Sequence, residues 1–255
     1  MNTNEHYIDI NARTVDSWVE SGWEWGKPVD EATCLRARNG EWDVLLTPNK
    51  PVPHAWFGEL KGKTLLGLAC GGGQQMPVFS LLGANCTVLD YSQKQLENER
   101  LVAGREGYDI EILRADMTQS LPFADDTFDI VFQPVSNCYV ENMRPIFKEC
   151  LRILKPGGVF IGGFDNGICF AFDEEEPVLR YHLPFNPLQN PEHRAVLEKD
   201  NSGMQFSHTT EEIISGQLEA GFVLTNLYED TDNYGKFKEF NLPVYLATRA
   251  IKPGR

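Results

Sequence analysis

The sequence predicts an α/β fold: a seven-stranded, mostly parallel sheet that closes with an antiparallel hairpin and carries helices on both faces. Three observations carry this reading. From Lys63 onward short apolar runs alternate with amphipathic stretches, the pattern of strand-helix-strand units. The first run, Leu65-Leu66-Gly67-Leu68-Ala69-Cys70-Gly71-Gly72-Gly73-Gln74-Gln75, passes from a buried strand through a glycine turn into a helix, and the next closes on Asp90. Two late β runs, 222–229 and 244–250, lie close enough together to form the hairpin.

In chain order, residues 11–21 place Val15, Trp18 and Val19 on one helical face, so Trp18 reads as core. Parallel strands are expected near 63–69, 85–90, 109–114, 127–133 and 157–164. The helix after the glycine turn closes at Gly83. Ser92 followed by Gln95 forms a capping-box pattern for a helix ending before Gly107. Lys155-Pro156-Gly157-Gly158 ends a further helix and turns into the fifth strand. After a long interruption, Thr209 and Glu212 cap a helix that stops at Gly221.

A chain of 255 residues with 42% hydrophobic content supports one large domain with insertions. Its formal charge of −14 opposes binding of polyanions, which rests on lysine and arginine, so nucleic acid and anionic membranes are not expected partners. The six cysteines are scattered without a C-x-x-C pair, suggesting neither a zinc site nor a disulfide frame, and no metal is expected. No apolar run approaches the roughly 20 residues of a membrane span, and the polar start, residues 1–6, is no signal peptide; a cytoplasmic protein is expected.

A glycine turn lets a ligand approach the backbone, and an acid ending the next strand can grip a ribose, so the pair describes a nucleoside-cofactor site. The nicotinamide fingerprint G-x-G-x-x-G fails at Met76, where the third glycine would stand. The stretch instead resembles motif I of class I S-adenosylmethionine (SAM) dependent methyltransferases. The resemblance, to the methyltransferase type 11-like members, spans roughly 60–164 and 209–250. Leu113-Arg114-Ala115-Asp116-Met117 is similar to the adenine-side motif, 121–131 to the "LPF…FD" fourth-strand motif, and Leu151-Arg152-Ile153-Leu154-Lys155-Pro156-Gly157-Gly158 to "LRVLKPGG". Two departures stand out: Gly67 occupies the place of the usual acid, and Ala69 replaces the first glycine.

The resemblance implies a Rossmann-like fold, SAM as cofactor, and methyl transfer, here read as transfer to a small-molecule substrate. It places Ala69, Gly71 and Gly73 beside the methionine portion, Asp90 on the ribose hydroxyls and Asp116 on the adenine amino group, with Tyr91 and Met117 packing on the ring. Gln75, Gln95 and Pro134 complete the cofactor-facing set. The loop Gln133-Pro134-Val135-Ser136-Asn137-Cys138-Tyr139-Val140 follows the fourth strand and lacks D-P-P-Y or N-P-P-Y, which argues against amino-methylation of a nucleobase. Asn137 and Tyr139 are the candidates there to orient an acceptor, and His208 is a candidate base, with His54 and His182 of similar standing. His6 and His193 read as surface residues.

All five tryptophans fall in the first 56 residues, which suggests that 1–60 form an aromatic-rich cap on a methyltransferase domain spanning 61–255. Trp23, Trp25 and Trp42 are the pocket candidates. The segment 165–208, containing an acidic run at 173–176 and His182, is expected to recognise the acceptor. Cys138 raises the narrower option of a thiol or metalloid acceptor. Two readings from other classes remain: a non-catalytic SAM-binding sensor or partner protein, suggested by Gly67 and Ala69, and, more distantly, an NAD-dependent oxidoreductase.

Overall fold

The structure is a computed structural model and describes residues 6–172 and 178–254. The acidic run 173–176 and the first five residues of the polar start lie outside the described residues. Strands β1 (Thr64–Leu68), β2 (Asn85–Asp90), β3 (Glu111–Arg114), β4 (Phe128–Gln133), β5 (Leu154–Asp165), β6 (Val223–Asp230) and β7 (Tyr245–Ile251) form one sheet in the order β3-β2-β1-β4-β5-β7-β6. The first five are parallel, and β7 runs antiparallel between β5 and β6. The expected seven strands and terminal hairpin are therefore present.

Side chains alternate between the two faces, and both faces are covered, which is why the central strands read as continuous apolar runs. Leu66, Val131 and Phe160 join one buried layer with Ile146, Phe147, Cys150 and Ile153 of α5 (Arg144–Ile153) and Ile213 of α7 (Thr210–Ala220). Leu65, Ile130, Phe132 and Ile161 face the other, with Met76, Val78 and Phe79 of α3 (Gln75–Leu81). Each such buried Leu, Ile or Phe contributes about 1.5–3 kcal/mol of transfer free energy. The order of β1 through β5 puts all their carboxyl ends on one edge, with the strand order reversing at β1. Open α/β sheets bind ligands in that crevice.

The capping signals perform as expected. Ser92 Oγ accepts the Gln95 N–H at the start of α4 (Gln93–Glu106), which closes on left-handed Gly107; Thr209 Oγ1 accepts the Glu212 N–H at the start of α7, which closes on Gly221. Lys155-Pro156-Gly157-Gly158, expected to end a helix and turn into a strand near 157–164, lies within that strand instead. The strand begins at Leu154, since the Phe128↔Leu154 pairing and two backbone bonds between Gly157, Gly158 and Lys252 hold the turn in register. The helix of the first segment is longer than expected, α1 (Tyr7–Glu20), and α2 (Glu31–Arg38), α6 (Pro191–Asp200) and α8 (Gly235–Glu239) were not marked by apolar periodicity.

Candidate active site

The glycine turn is gripped from both sides. Asp90 Oδ2 accepts the Gly71 N–H at 2.9 Å, while its Oδ1 accepts the Ser92 N–H at 2.9 Å, so one carboxylate ties the end of β1 to the start of α4. Gly73 N–H donates to Glu99 Oε2 at 3.0 Å, and Tyr108 donates to the other oxygen at 3.3 Å. A Cβ on Gly71 would lie 2.6 Å from Gln95 Cβ, and one on Gly73 2.8 Å from Val102 Cγ2; Gly72 (φ +96°) and Gly73 (φ +68°) also occupy the left-handed region. Only glycine satisfies both demands. Ala69 takes φ +48°, a conformation glycine tolerates better.

Gly67 explains the departure from motif I. A Cβ there would sit 2.4 Å from Met76 Sδ and 3.0 Å from Cys70 Cβ, so the space of the usual acid is filled from α3. The buried carboxylate near the turn comes instead from α4, as Glu99, which is fully buried. Burial pushes its carboxyl up to about 7, against the lowering effect of the Gly73 N–H and Tyr108 hydroxyl. Glu99 escaped the sequence reading because it follows no motif; its only signal was an acid on the inward face of the capped helix. Burial also raises Asp90, opposed by its Ser92 and Gly71 donors.

A cavity of about 770 Å³ opens at this edge. Of the expected cofactor-facing residues, Ala69, Gly71, Gln75, Asp90, Tyr91, Gln95, Asp116, Met117 and Pro134 line it, whereas Gly73 lies behind the turn. Tyr91 donates its hydroxyl to Asp9 at 2.9 Å, and Arg114 covers one ring face at 4.8 Å. Asp116 Oδ1 accepts from the Thr118 N–H and hydroxyl, fixing the carboxylate in a tight turn. Gln75 bonds the Leu45 carbonyl and Gln74 those of Glu24 and Lys27, so the glycine turn is clasped by the N-terminal segment.

Toward β4 and β5 the walls become aromatic and apolar: Trp18, Trp23, Trp25, Leu45, Leu46, Pro48, Val135, Tyr139 and Tyr245. Trp18, expected in the core, is half-buried and stands in this wall, tilted against Trp23 at 5.3 Å and Tyr139 at 6.3 Å. Asn11 bridges distant segments here. Its amide donates to the Tyr139 and Met204 carbonyls at 3.0 and 2.8 Å and accepts the Met204 N–H at 2.6 Å. Burial raises both Tyr139 and Cys138 well above their ordinary values.

Four acceptor-side expectations need correction. Trp42 does not reach the cavity: it stacks on His54 at 3.9 Å and packs edge-on against Phe57 and Phe79 in the second buried layer. His182 is exposed and outside the lining, while His193, expected at the surface, is buried and stacks on Phe185 at 4.1 Å. His208 is likewise buried away from the cavity, bonding the Val140 carbonyl at 2.8 Å through Nε2 and facing Glu212 at 3.1 Å. Asn137 turns its amide to the backbone of Asp165, donating to its carbonyl at 2.8 Å and accepting its N–H at 2.9 Å. Sequence periodicity cannot place such side chains, because each is fixed by a partner distant in the chain.

Residues 66–162 match the family described as a methyltransferase domain. The chain is 39% identical over 249 residues to the uncharacterized methyltransferase YbaJ of Bacillus subtilis (strain 168), covering 95% of this chain and 97% of that protein. The chain belongs to the class I SAM-dependent methyltransferases. A demethylmenaquinone methyltransferase from Clavibacter sepedonicus is 38% identical over a shorter stretch, 38% of this chain and 39% of that protein. The fold is also that of a SAM-dependent methyltransferase from Mesorhizobium loti, with a TM-score of 0.63 and 21% identity over 77% of this chain and 94% of that one.

The methyltransferase turn fits SAM by its own features. Ala69 and Gly71 bring small residues and bare backbone to the cavity wall, the glycines let that turn lie close on α4, and Gln95 Oε1 is buried beside it without a hydrogen-bond partner. SAM supplies an electrophilic methyl group on a sulfonium. Methyl transfer is an in-line displacement, so the task of the chain's residues is to hold donor and acceptor in line and exclude water.

Proposed function

We propose that this methyltransferase acts on a small molecule enclosed beneath a cap made by residues 1–60, with 165–208 as the acceptor-side insertion. The observation that carries the reading is the continuity of one cavity from Asp90 and Asp116 at one end to the aromatic wall of Trp18, Trp23 and Tyr139 at the other. A deep, largely apolar cavity of this size suits a small ligand rather than a polymer strand, and the formal charge of −14 also works against nucleic acid. In this reading Asp90 accepts from the ribose hydroxyls and Asp116 from the adenine amino group. The free face of Tyr91, with Met117, flanks the ring, while Ala69, Gly71, Gln75, Gln95 and Pro134 border the methionine portion. Gly73 serves indirectly, by fixing the turn on Glu99. Trp23, Trp25 and Tyr139 shape the acceptor pocket, and Asn137 and His208 support its walls.

The six cysteines are unpaired, the state of a reducing compartment, which supports a cytoplasmic enzyme. Among the described residues no helix is long and apolar enough to cross a membrane, and no group of three or more His, Cys, Asp or Glu could hold a metal ion. The second point weakens a metalloid acceptor.

The test is calorimetry with SAM and its demethylated product on wild type and Asp90→Ala, followed by transfer of labelled methyl to small molecules, peptides and RNA. Two charge-assisted hydrogen bonds at about 1.5 kcal/mol each imply roughly 100-fold weaker SAM binding by Asp90→Ala. Equal affinities would sink the ribose assignment, and label appearing only in peptide or RNA would sink the small-molecule acceptor.

A further inference from the structure

Asp165 ends β5, on the far side of the crevice from Asp90 and Asp116, and it also lines the cavity. In the sheet order β2 and β5 are separated by β1 and β4, so at about 4.8 Å per strand Asp165 stands roughly 14 Å from the ribose-side acid. Its backbone is clamped on both sides by the Asn137 amide. Its Oδ1 accepts the Gly167 N–H at 2.6 Å, and its Oδ2 accepts the Cys169 thiol at 3.0 Å. An ionised carboxylate can accept about four hydrogen bonds, so each oxygen keeps a lone pair after these two. Asp165 is 7% exposed, and its cavity neighbours are Cys138, Tyr139 and Tyr245. The lining has a second property: among the described residues it contains Asp90, Asp116 and Asp165, and no lysine, arginine or histidine.

We infer that Asp165 is the proton acceptor for methyl transfer, and that the acceptor is an uncharged or cationic molecule whose methylated oxygen or nitrogen bears a proton. This rests on the small-molecule reading of the cavity. The acceptor's O–H or N–H bond breaks and its proton passes to a free lone pair of Asp165. The electron pair left on oxygen or nitrogen forms the bond to the methyl carbon, while the carbon–sulfur pair departs with the sulfur. Asp165 then returns the proton to solvent after product release. A carboxylate or phosphate acceptor would add a negative charge to a lining that already carries three carboxyl side chains and no cationic one, whereas aromatic walls accept a neutral ring or an ammonium group. Burial raises the Asp165 carboxyl, the direction that strengthens it as a base, against the lowering effect of the Cys169 thiol, the Gly167 N–H and His208. Asp90 ends β2 and Asp116 precedes the turn after β3, on the other side of the crevice, and both are held there by the Gly71, Ser92 and Thr118 donors.

The experiment uses the full chain, labelled SAM, and a panel of probes of matched size: phenols graded in hydroxyl acidity, arylamines, benzoates and aryl phosphates. Phenols and amines should be methylated and the anions refused, with oxygen or nitrogen identified from which arm takes label. Asp165→Asn should lower kcat/KM about 10²–10⁴-fold on weakly acidic phenols, with the deficit shrinking as the phenol becomes more acidic. SAM affinity should stay within about twofold, because Asp165 faces the other end. Asp165→Glu, which keeps a displaced carboxylate, should fall between the two, so the outcome does not hang on one variant. The inference is overturned by preference for the anionic probes, by a panel neither bound nor methylated, or by a deficit that is uniform across the phenols. If label enters only peptide or RNA, the small-molecule reading fails separately, and the Asp165→Asn deficit on that acceptor still decides the role of the carboxylate.

Discussion

The two ends of the cavity are built by different means. At the proposed nucleoside end, short contiguous stretches supply both the turn and its acids, and each acid is fixed by donors nearby in the fold: Asp90 by Gly71 and Ser92, Asp116 by Thr118. At the proposed acceptor end, the wall is assembled from α1, the 45–48 segment, the loop after β4, the end of β5 and the start of β7. Backbone geometry makes the first end and long-range side-chain packing the second. The first therefore depends on residue size at single positions, and the second on which distant neighbours a ring happens to meet.

Substitutions can break that contrast in order of expected size. Gly67→Asp, which restores the acid usual in the family, should cost about 4 kcal/mol in denaturant unfolding, from overpacking against Met76 plus burial of an unpaired carboxylate; Met76→Ala in the same chain should recover part of it. A stable Gly67→Asp with tighter SAM binding would show that Glu99 does not stand in for the acid. Glu99→Gln should act with pH. Folding raises this carboxyl from the ordinary 4.5 to about 7, so the folded chain holds a proton that the unfolded chain releases, and stability falls as pH rises across that window. The variant should lack that slope, matching wild type near pH 4 and exceeding it by about 3 kcal/mol at pH 8. Parallel curves would mean that Glu99 titrates normally.

On the acceptor side, Trp42→Ala should lose about 2 kcal/mol of stability and leave SAM affinity unchanged, since the ring packs on His54 and Phe57. Trp23→Ala should weaken acceptor binding about tenfold at little cost in stability. Exchange of those two phenotypes would reverse the placement of the rings. The smallest effect belongs to His182→Ala, an exposed site: within about 0.5 kcal/mol in stability, with turnover unchanged.

The sheet was legible because β1, β2, β4 and β5 each contain a run that must be apolar on both faces, and because Ser92, Gly107, Thr209 and Gly221 mark helix ends by local chemistry. The nucleoside end was legible for the same reason, since a turn, an acid and their spacing are adjacent in the chain. Glu99 and Asp165 were not. One is set by helix phase and the other by a strand that runs beyond its apolar stretch to reach the cavity. Histidines fared worst, as His193 and His182 exchange their expected environments: the polar-looking stretch around His193 folds its ring onto Phe185. Trp18 shows the limit of amphipathic patterning, because a wall of a ligand chamber and a core wall present the same periodic face.

The bridge made by Asn11 also sets a schedule. Its side chain completes its bonds only with the Met204 backbone, 193 residues further along the chain. At about 5–20 residues per second of synthesis, the first helix waits roughly 10–40 seconds on the ribosome before that partner exists. The glycine turn, Asp90 and Asp116 are all made during that interval, so the nascent chain can form the first strands of the sheet before α1 is fastened to the later segment.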